Sequence, residues 1–336
     1  MPPAPTPSER DRELLWARRF GHSRVDAVIC GPPGSGKTCL AAAMASGSGL
    51  PGQGSAAITP LSRTTDLVTA VYQHLKADPG TEPSLPPTSL EPLNVQVMHK
   101  DDSEDGSEAV AKEVSLLELE EDALREHPLY RHLCFTPVWI LLMDPTGEHT
   151  HWYLDRLPQW SEDLAQPDGE AAFPPPTSVA SKPLPVTRVT RQVRRVIVVI
   201  THLDEVIAQW MPTLQKRRLN HIFGVHQHND WQGIDRLIRR LDAEAWIRHH
   251  DPTFLRRVRE YLGGPETEII VGVVSSVGLR RPSVTQPEWC PFGTGELLEL
   301  IMRHEIVSPF YRASPESSPR RYLKLDSILS EIAYED

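Results

Sequence analysis

The chain contains 336 residues, of which 39% are hydrophobic, and its formal net charge at pH 7 is -10. This length can bury one large core or two modest ones, and one elaborated domain is sufficient. The negative charge argues against nucleic acid as a partner, because such binding needs clustered Lys and Arg that neutralise phosphates. The apolar runs 138–143 and 196–200 are much shorter than the roughly 20 residues that cross a bilayer, so we expect no membrane span.

The N-terminus and the cysteines are typical of a cytoplasmic protein. The first residues, Met1-Pro2-Pro3-Ala4-Pro5, lack the charged and apolar regions of a secretory signal. We expect residues 1–24 to form a flexible segment with one short helix. The four cysteines lack the paired spacing of zinc ligands and fit a reducing compartment as small apolar residues. They are Cys30, Cys39, Cys134 and Cys290.

Strands and helices are predicted to alternate along residues 25–306. A short apolar run, a Gly-rich turn and an Ala-rich segment predict a strand, a loop and a helix. A second, amphipathic helix and a short alternating strand follow, and three continuous apolar runs are typical of strands buried on both faces of a parallel sheet. The predicted strands cover residues 25–30, 93–97, 138–143, 196–200 and 269–274, and the first two helices cover residues 38–44 and 61–76. This pattern predicts an α/β fold of three layers, with a mostly parallel sheet between helices and right-handed crossovers.

Three segments interrupt or follow this alternation. Residues 101–134 begin with a strongly acidic stretch, and Val114 to Leu119 form a possible amphipathic helix, so we expect a surface insertion there. Residues 155–190 contain many prolines, which predict a loop or a partly disordered insertion. Residues 307–336 are expected to be a C-terminal extension that packs on its own domain or, alternatively, docks a partner.

The Gly-rich turn at residues 31–38 fits the motif G-x-x-x-x-G-K-[ST] and lies between a predicted strand and helix, as that phosphate-binding motif requires. Gly34 and Gly36 let backbone N–H groups surround phosphates at the positive end of the helix. Lys37 would bridge phosphate oxygens, and the hydroxyl of Thr38 would bind Mg²⁺. The nucleotide contacts predicted in this segment are Gly31, Gly34, Ser35, Gly36, Lys37, Thr38 and Cys39.

The spelling of this motif is also common in AAA+ ATPases, so later segments must decide which base is bound. Asp144-Pro145-Thr146-Gly147-Glu148 follows a buried strand, matches the D-x-x-G element of GTPases and lacks the consecutive acidic pair usual in AAA+ enzymes. Asp144 at a strand end can hold a metal-bound water, and the N–H of Gly147 can reach the γ-phosphate. The alternative is an ordinary Asp-Pro turn.

The run 196–200 leads into Thr201-His202-Leu203-Asp204, which is similar to the guanine-reading motif [NT]-K-x-D with His in place of Lys. The carboxylate of Asp204 can accept two hydrogen bonds from guanine, which adenine does not offer in that arrangement. His202 can stack on the base, or the substitution weakens selectivity. The alternative is a strand end with an ordinary helix cap.

The last predicted strand ends at Ser275-Ser276, which looks like the S-A-x motif whose backbone N–H contacts the guanine carbonyl oxygen. Ser276 would occupy that contact position. Alone the match is weak, but it follows the Thr-His-Leu-Asp segment at the end of a strand, as the order of motifs in GTPases requires.

In this order, the four segments resemble those of Ras-like (TRAFAC-class) P-loop GTPases, particularly the bacterial double-GTPase families associated with conflict and defence systems. The resemblance covers roughly residues 25–306. It implies a Mg²⁺-dependent protein that binds GTP, hydrolyses it to GDP and acts as a switch for a protein effector or adaptor, with a role in defence as a further expectation. It also implies that Thr88 is the switch threonine and completes Mg²⁺ coordination, with Thr59, Thr64 and Thr65 as competing choices.

The sequence departs from the family's pattern at several positions. The strand usual between the D-x-x-G element and the base-reading motif is not evident in the Pro-rich region. Glu148 stands where many GTPases have Gln or His, which predicts slow turnover without a partner. An arginine finger could come from a partner or from Arg156, Arg188 or Arg191. Two alternatives therefore stay open: an AAA+-like ATPase that assembles into rings, and a catalytically weak nucleotide-binding scaffold.

Overall fold

A computed structural model of the chain describes residues 25–46, 57–60, 63–77, 84–85, 92–100, 109–119, 136–144, 150–165, 193–202, 243–263, 267–277, 289, 291–303 and 306–313. Its strands are β1 (Ala27–Cys30), β2 (Ala57–Pro60), β3 (Leu93–Lys100), β4 (Ala109–Glu118), β5 (Val138–Met143), β6 (Arg195–Ile200), β7 (Glu268–Val273) and β8 (Tyr311–Arg312). Its helices are α1 (Lys37–Ala45), α2 (Arg63–Lys76), α3 (Thr150–Ala165), α4 (Ala243–His250), α5 (Phe254–Tyr261) and α6 (Thr294–Arg303).

The strands form one eight-stranded sheet in the order β2-β3-β4-β1-β5-β6-β7-β8. Strands β4, β1, β5, β6 and β7 run parallel to one another. At the two edges the pairing is antiparallel, between β2 and β3, β3 and β4, and β7 and β8. The prediction of an α/β fold with a mostly parallel sheet is therefore confirmed, and the carboxyl ends of the five parallel strands meet at one edge.

Helices cover both faces of the sheet. Successive side chains of a buried strand point to opposite sides, so each central strand packs against both layers. On β5, Trp139 packs in a cluster with Tyr153 of α3 and Phe254 of α5. Its neighbour Ile140 packs in a second cluster with Leu40 of α1 and with residues of α6. Burying a side chain of this size contributes about 1.5–3 kcal/mol, so the uniformly apolar sequences of the central strands are explained by packing on two sides.

Residues 109–118 form a strand and not the amphipathic helix or surface insertion expected there. Strand β4 lies inside the sheet, antiparallel to β3 and parallel to β1. Val114, Leu116 and Leu117 are all buried, since helices or loops cover both faces of an interior strand. The helical prediction was wrong because apolar residues at close spacing fit a two-sided strand as well as one face of a helix.

Helix α3 extends through residues 155–165, where the prolines predicted a loop. Pro158 lies inside this helix. A proline in a helix interior removes one backbone hydrogen bond and costs about 3 kcal/mol. The cost is offset by burial of Tyr153, Leu157 and Trp160, which are between 0% and 1% exposed on the face that packs on the sheet. The loop prediction was wrong in this stretch because tertiary packing overrides the local preference of proline.

The beginning of the expected C-terminal extension is part of the sheet. Strand β8 pairs antiparallel with β7, and Phe310, just before it, packs on Gly272 of β7. A Cβ atom at Gly272 would lie 2.3 Å from Cδ1 of Phe310, so only glycine leaves room for the ring. Residues 310–313 therefore belong to the domain, in agreement with the preferred expectation for this segment.

Several other expectations have a definite outcome. The helices predicted over residues 38–44 and 61–76 correspond to α1 and α2, and the five predicted strands correspond to β1, β3, β5, β6 and β7. Cys30 is a free, buried thiol, and burial raises its pKa far above the ordinary value, in line with an apolar role. No helix among the described residues is long and apolar enough to cross a membrane. The expected helix within residues 1–24 and the region 166–190 lie outside the described residues.

Candidate functional site

The candidate site lies at the edge where the parallel strands end. We call residues 31–38, which connect β1 to α1, the glycine loop. Glu118 ends β4, Asp144 follows β5, Thr201 and His202 follow β6, and Ser275 and Ser276 follow β7. Loops beyond the carboxyl ends of parallel strands are the usual location of ligand sites in open α/β sheets. The structure thus brings four of the predicted segments to one edge.

The backbone of the glycine loop has a shape that can surround an anion. Gly34 and Gly36 have φ angles of 74° and 85°, a left-handed conformation that glycine adopts without strain. A Cβ atom at Gly34 would meet nothing within 4 Å, so the backbone there is open to approach. Helix α1 begins directly after Gly36 without a side-chain cap. Its first N–H groups therefore point toward the loop, as in anion sites at helix N-termini.

Lys37 places its ammonium group inside the glycine loop. Its side chain is buried, and Nζ donates hydrogen bonds to the carbonyl oxygens of Gly31 at 2.7 Å and Pro32 at 3.0 Å. These bonds compensate for the removal of the charge from water. The result is a preorganised cation at the position where the motif predicts contacts with phosphate oxygens.

The side-chain oxygens of Thr38 and Glu118 are paired at the end of the glycine loop. The hydroxyl of Thr38 donates to Oε2 of Glu118 at 2.8 Å. Glu118 is only 4% exposed, and this burial raises the pKa of its carboxyl, while the Thr38 hydrogen bond and the Lys37 charge lower it in part. A hydroxyl and a carboxylate are ligands that Mg²⁺ prefers, so the residues present fit the cation that the motif implies.

The sequence did not identify Glu118, because residues 101–122 were assigned to an acidic surface segment. One signal was available: Glu118 follows two consecutive leucines, as a polar residue does at the end of a buried strand. The register decides the position, since Glu118 lies opposite Ile29 near the end of β1. That pairing brings the Glu118 carboxylate to the glycine loop, although Glu118 lies 80 residues from Thr38 in the sequence.

Asp144 contacts the predicted base-reading segment. The Nδ1–H of His202 donates to Oδ2 of Asp144 at 3.3 Å, because an ionised carboxylate only accepts. The carboxylate that bonds Thr38 belongs to Glu118. The assignment of Asp144 as a metal ligand stays a prediction.

Thr201 joins the end of β6 to the glycine loop. Its side chain is 1% exposed, and its hydroxyl lies 3.1 Å from the carbonyl oxygen of Ser35 and 3.3 Å from that of Met143. Its backbone N–H also donates to Met143 at 2.8 Å. Within the loop, a Cβ atom at Gly31 would lie 2.4 Å from Oγ of Ser35, which explains the glycine at the first position. The loop, β5 and β6 are therefore locked together.

A buried tryptophan fixes the segment that follows β7. The indole N–H of Trp289 donates to the carbonyl oxygen of Ser276 at 2.8 Å. The backbone of Ser275 pairs with that of Phe292 in both directions, at 3.0 and 2.8 Å. The expected guanine contact uses the N–H of Ser276 and the observed bond uses its carbonyl, so the two are compatible. Nothing in the sequence pattern pointed to Trp289.

The remaining predicted site residues have mixed outcomes. Thr64, one competing switch residue, is buried, and its hydroxyl donates to the Asn94 carbonyl at 3.0 Å and accepts the Asn94 N–H at 3.1 Å. Cys39 packs near Trp289, and the guanidinium of Arg156 lies 4.3 Å from the ring of Trp152. Among the described residues, no group of three or more His, Cys, Asp or Glu could hold a metal ion. Thr88, Gly147, Glu148 and Asp204 lie outside the described residues.

We expect the buried Glu118 carboxylate to lower the stability of the folded protein at neutral pH. Because the pKa of Glu118 is raised above 4.5, the folded protein holds this proton at pH values where the unfolded chain has lost it, so the stability contribution falls as pH rises through that window. We expect Glu118→Gln to increase the melting temperature at pH 7 and to differ little from wild type below pH 4. Thermal unfolding at several pH values tests this, and a variant that is less stable at pH 7 would contradict it.

Comparison with known proteins gives no family assignment. No profile of a known protein family matches the chain, and no curated protein has a similar sequence.

Proposed function

We propose that this chain is a Mg²⁺-dependent nucleotide-binding protein of the P-loop class that binds GTP, hydrolyses it to GDP and signals its state to a protein partner. The observation that carries the proposal is the convergence at the glycine loop: the Lys37 ammonium lies inside the loop, and the Thr38 hydroxyl bonds the buried Glu118 carboxylate. An anion cradle, a cation and two hard oxygen ligands are the groups that phosphoryl transfer requires.

With Glu118 as the acidic residue of the site, the order of strands along the chain agrees with the order that the resemblance to Ras-like GTPases implies. In that pattern, one strand separates the acidic residue on the metal side from the base-reading motif. When Asp144 is taken as that residue, the described strands between it and Thr201 are limited to β6, which itself leads into Thr201. When Glu118 is taken instead, β5 is the intervening strand, because the chain passes from β4 through β5 to β6. This agreement supports Glu118 as the acidic residue of the site.

Each residue then has a defined task. The N–H groups at the start of α1 and the Lys37 ammonium would bind the phosphates, and Thr38 and Glu118 would hold Mg²⁺. Bound Mg²⁺ supplies positive charge opposite the phosphate oxygens. Thr88 and Glu148 are the proposed switch residue and water-orienting residue. Asp204 and Ser276 are the proposed readers of guanine, and His202 is proposed to stack on the base.

A P-loop ATPase is the second candidate, and one observation favours it. The absence of consecutive acidic residues after Asp144 argued against AAA+ enzymes. Glu118 changes this comparison, because Glu120, Glu121 and Asp122 follow it within four residues. Glu120 and Glu121 form the kind of consecutive acidic pair that was missing after Asp144, so the choice between the two depends on the base and not on the phosphate site.

The Mg²⁺ dependence of nucleotide binding tests the role of Glu118. We expect Glu118→Gln to reduce Mg²⁺-stimulated binding of fluorescent GTP by about tenfold, because the amide keeps the size but loses the charge that holds the cation. Binding in EDTA should be nearly unchanged. Glu113→Gln, an exposed position on the same strand, is the matched control and should behave as wild type. An equal loss with and without Mg²⁺ would count against this assignment.

A further inference from the structure

His202 is held in an unusual backbone conformation at the candidate site. Its φ angle is 53°, which lies in the left-handed region that residues with a Cβ atom seldom adopt. The residue before it, Thr201, is anchored to the carbonyl oxygens of Ser35 and Met143. A strained conformation of this kind persists where the surroundings fix it, and such positions cluster at binding sites.

The carboxylate of Asp144 is one of the groups that fix the histidine ring. Strands β5 and β6 are paired in register through Met143 and Ile200, so the residues that follow them emerge side by side. The Nδ1–H of His202 donates to Oδ2 of Asp144 at 3.3 Å. The side chains are 25% and 13% exposed, respectively, so the pair is shielded from water but still reachable by a ligand.

The opposite edge of the ring faces the glycine loop. A Cβ atom at Gly36 would lie only 3.3 Å from Nε2 of His202, so the ring occupies the space beside Gly36 that a side chain would need. The ring therefore lies between Asp144, which it contacts through Nδ1, and Gly36, which Nε2 approaches. One face of the ring therefore has a fixed orientation next to the loop that would carry the phosphates.

We propose that Asp144 is a positioning residue that holds the His202 imidazole against Gly36, so that the ring forms a rigid wall for the aromatic base of a bound nucleotide. The inference rests on the proposed function, since it concerns the same nucleotide site. It gives Asp144 a task different from metal binding. It also explains how a histidine can replace lysine in the Thr-His-Leu-Asp segment. Stacking on a base needs an aromatic face, which histidine supplies, and the contact with Asp144 fixes the orientation of that face.

A double-mutant cycle with fluorescent GDP tests the proposal. We expect Asp144→Ala to weaken binding about fivefold, equally in Mg²⁺ and in EDTA. Asp144→Asn keeps an acceptor oxygen and should restore most of the affinity. In a His202→Ala background, Asp144→Ala should have no further effect, because the two residues act as one unit. Asp66→Ala, on the exposed face of α2, is the control.

Two results would overturn the proposal. A loss of affinity seen only with Mg²⁺ and retained in the His202→Ala background would make Asp144 a metal ligand. Additive losses in EDTA would show that the two residues act independently.

A ligand-free readout separates failure of this inference from failure of the proposed function. Nitrogen-15 NMR of the histidine rings should show the Nδ1–H tautomer for His202 in wild type and in Asp144→Asn, and its loss in Asp144→Ala. An unchanged His202 signal in Asp144→Ala refutes the positioning role whatever the protein binds. If wild type shows this tautomer but binds no nucleotide, the positioning of the ring stands while the base wall is refuted together with the proposed function.

Discussion

Lys37→Ala is expected to lower the affinity for GTP and GDP by about 100-fold or more. The ammonium is buried in the glycine loop and donates to two carbonyl oxygens at 2.7 and 3.0 Å. Charge-assisted hydrogen bonds to phosphate oxygens contribute about 1.5–3 kcal/mol each, so losing two of them has this magnitude. Equilibrium titration with fluorescent nucleotides measures it.

The control for Lys37 must separate lost binding from lost folding. Lys76→Ala removes the same side chain at the end of α2 and should leave binding unchanged. Lys37→Met keeps much of the aliphatic stem and should lose nucleotide as strongly as the alanine variant while melting close to wild type. Near-normal affinity in a folded Lys37→Met protein would contradict a phosphate site at the glycine loop.

Asp204→Ala is expected to weaken GTP binding by about 100-fold while leaving ATP binding unchanged. The proposed carboxylate accepts two hydrogen bonds from guanine, and a site built on such bonds discriminates strongly against a base that lacks them. Inosine triphosphate keeps the ring N–H but lacks the exocyclic amine. Wild type should therefore bind it less tightly than GTP, and Asp204→Ala should no longer distinguish the two.

The matched control for Asp204 is another aspartate outside the site. Asp155→Ala changes an exposed residue of α3 and should preserve the preference among the three nucleotides. Parallel losses of GTP and ATP in Asp204→Ala would assign this residue to folding of the segment and not to base recognition.

The central strands of the fold were predictable from the sequence because both of their faces are buried. Runs such as Val138–Met143 and residues 196–200 are uniformly buried, which leaves a continuous apolar signature. The same physics misled the prediction at β4, where close apolar spacing resembled one face of a helix. At α3, the local penalty of Pro158 was visible in the sequence, whereas the compensating burial of Trp160 was not.

Within the site, local motifs were predictable and long-range partners were not. The glycines, Lys37 and Thr38 are specified by a contiguous segment whose geometry follows from the motif. Glu118 reaches Thr38 only through the pairing of β4 with β1, and His202 reaches Asp144 only through the pairing of β5 with β6. Such pairings are set by the sheet as a whole, so a carboxylate assigned from its sequence context alone is easily matched to the wrong partner.

The most direct test of the central claim is a titration of the purified, nucleotide-free protein with fluorescent GTP and ATP analogues in the presence of Mg²⁺. We expect GTP to bind more tightly than ATP by about 100-fold, since the two hydrogen bonds that guanine donates to Asp204 are missing with adenine. Tighter binding of ATP would contradict the assignment of Asp204 and Ser276 to guanine recognition, while leaving the phosphate site formed by Lys37, Thr38 and Glu118 intact.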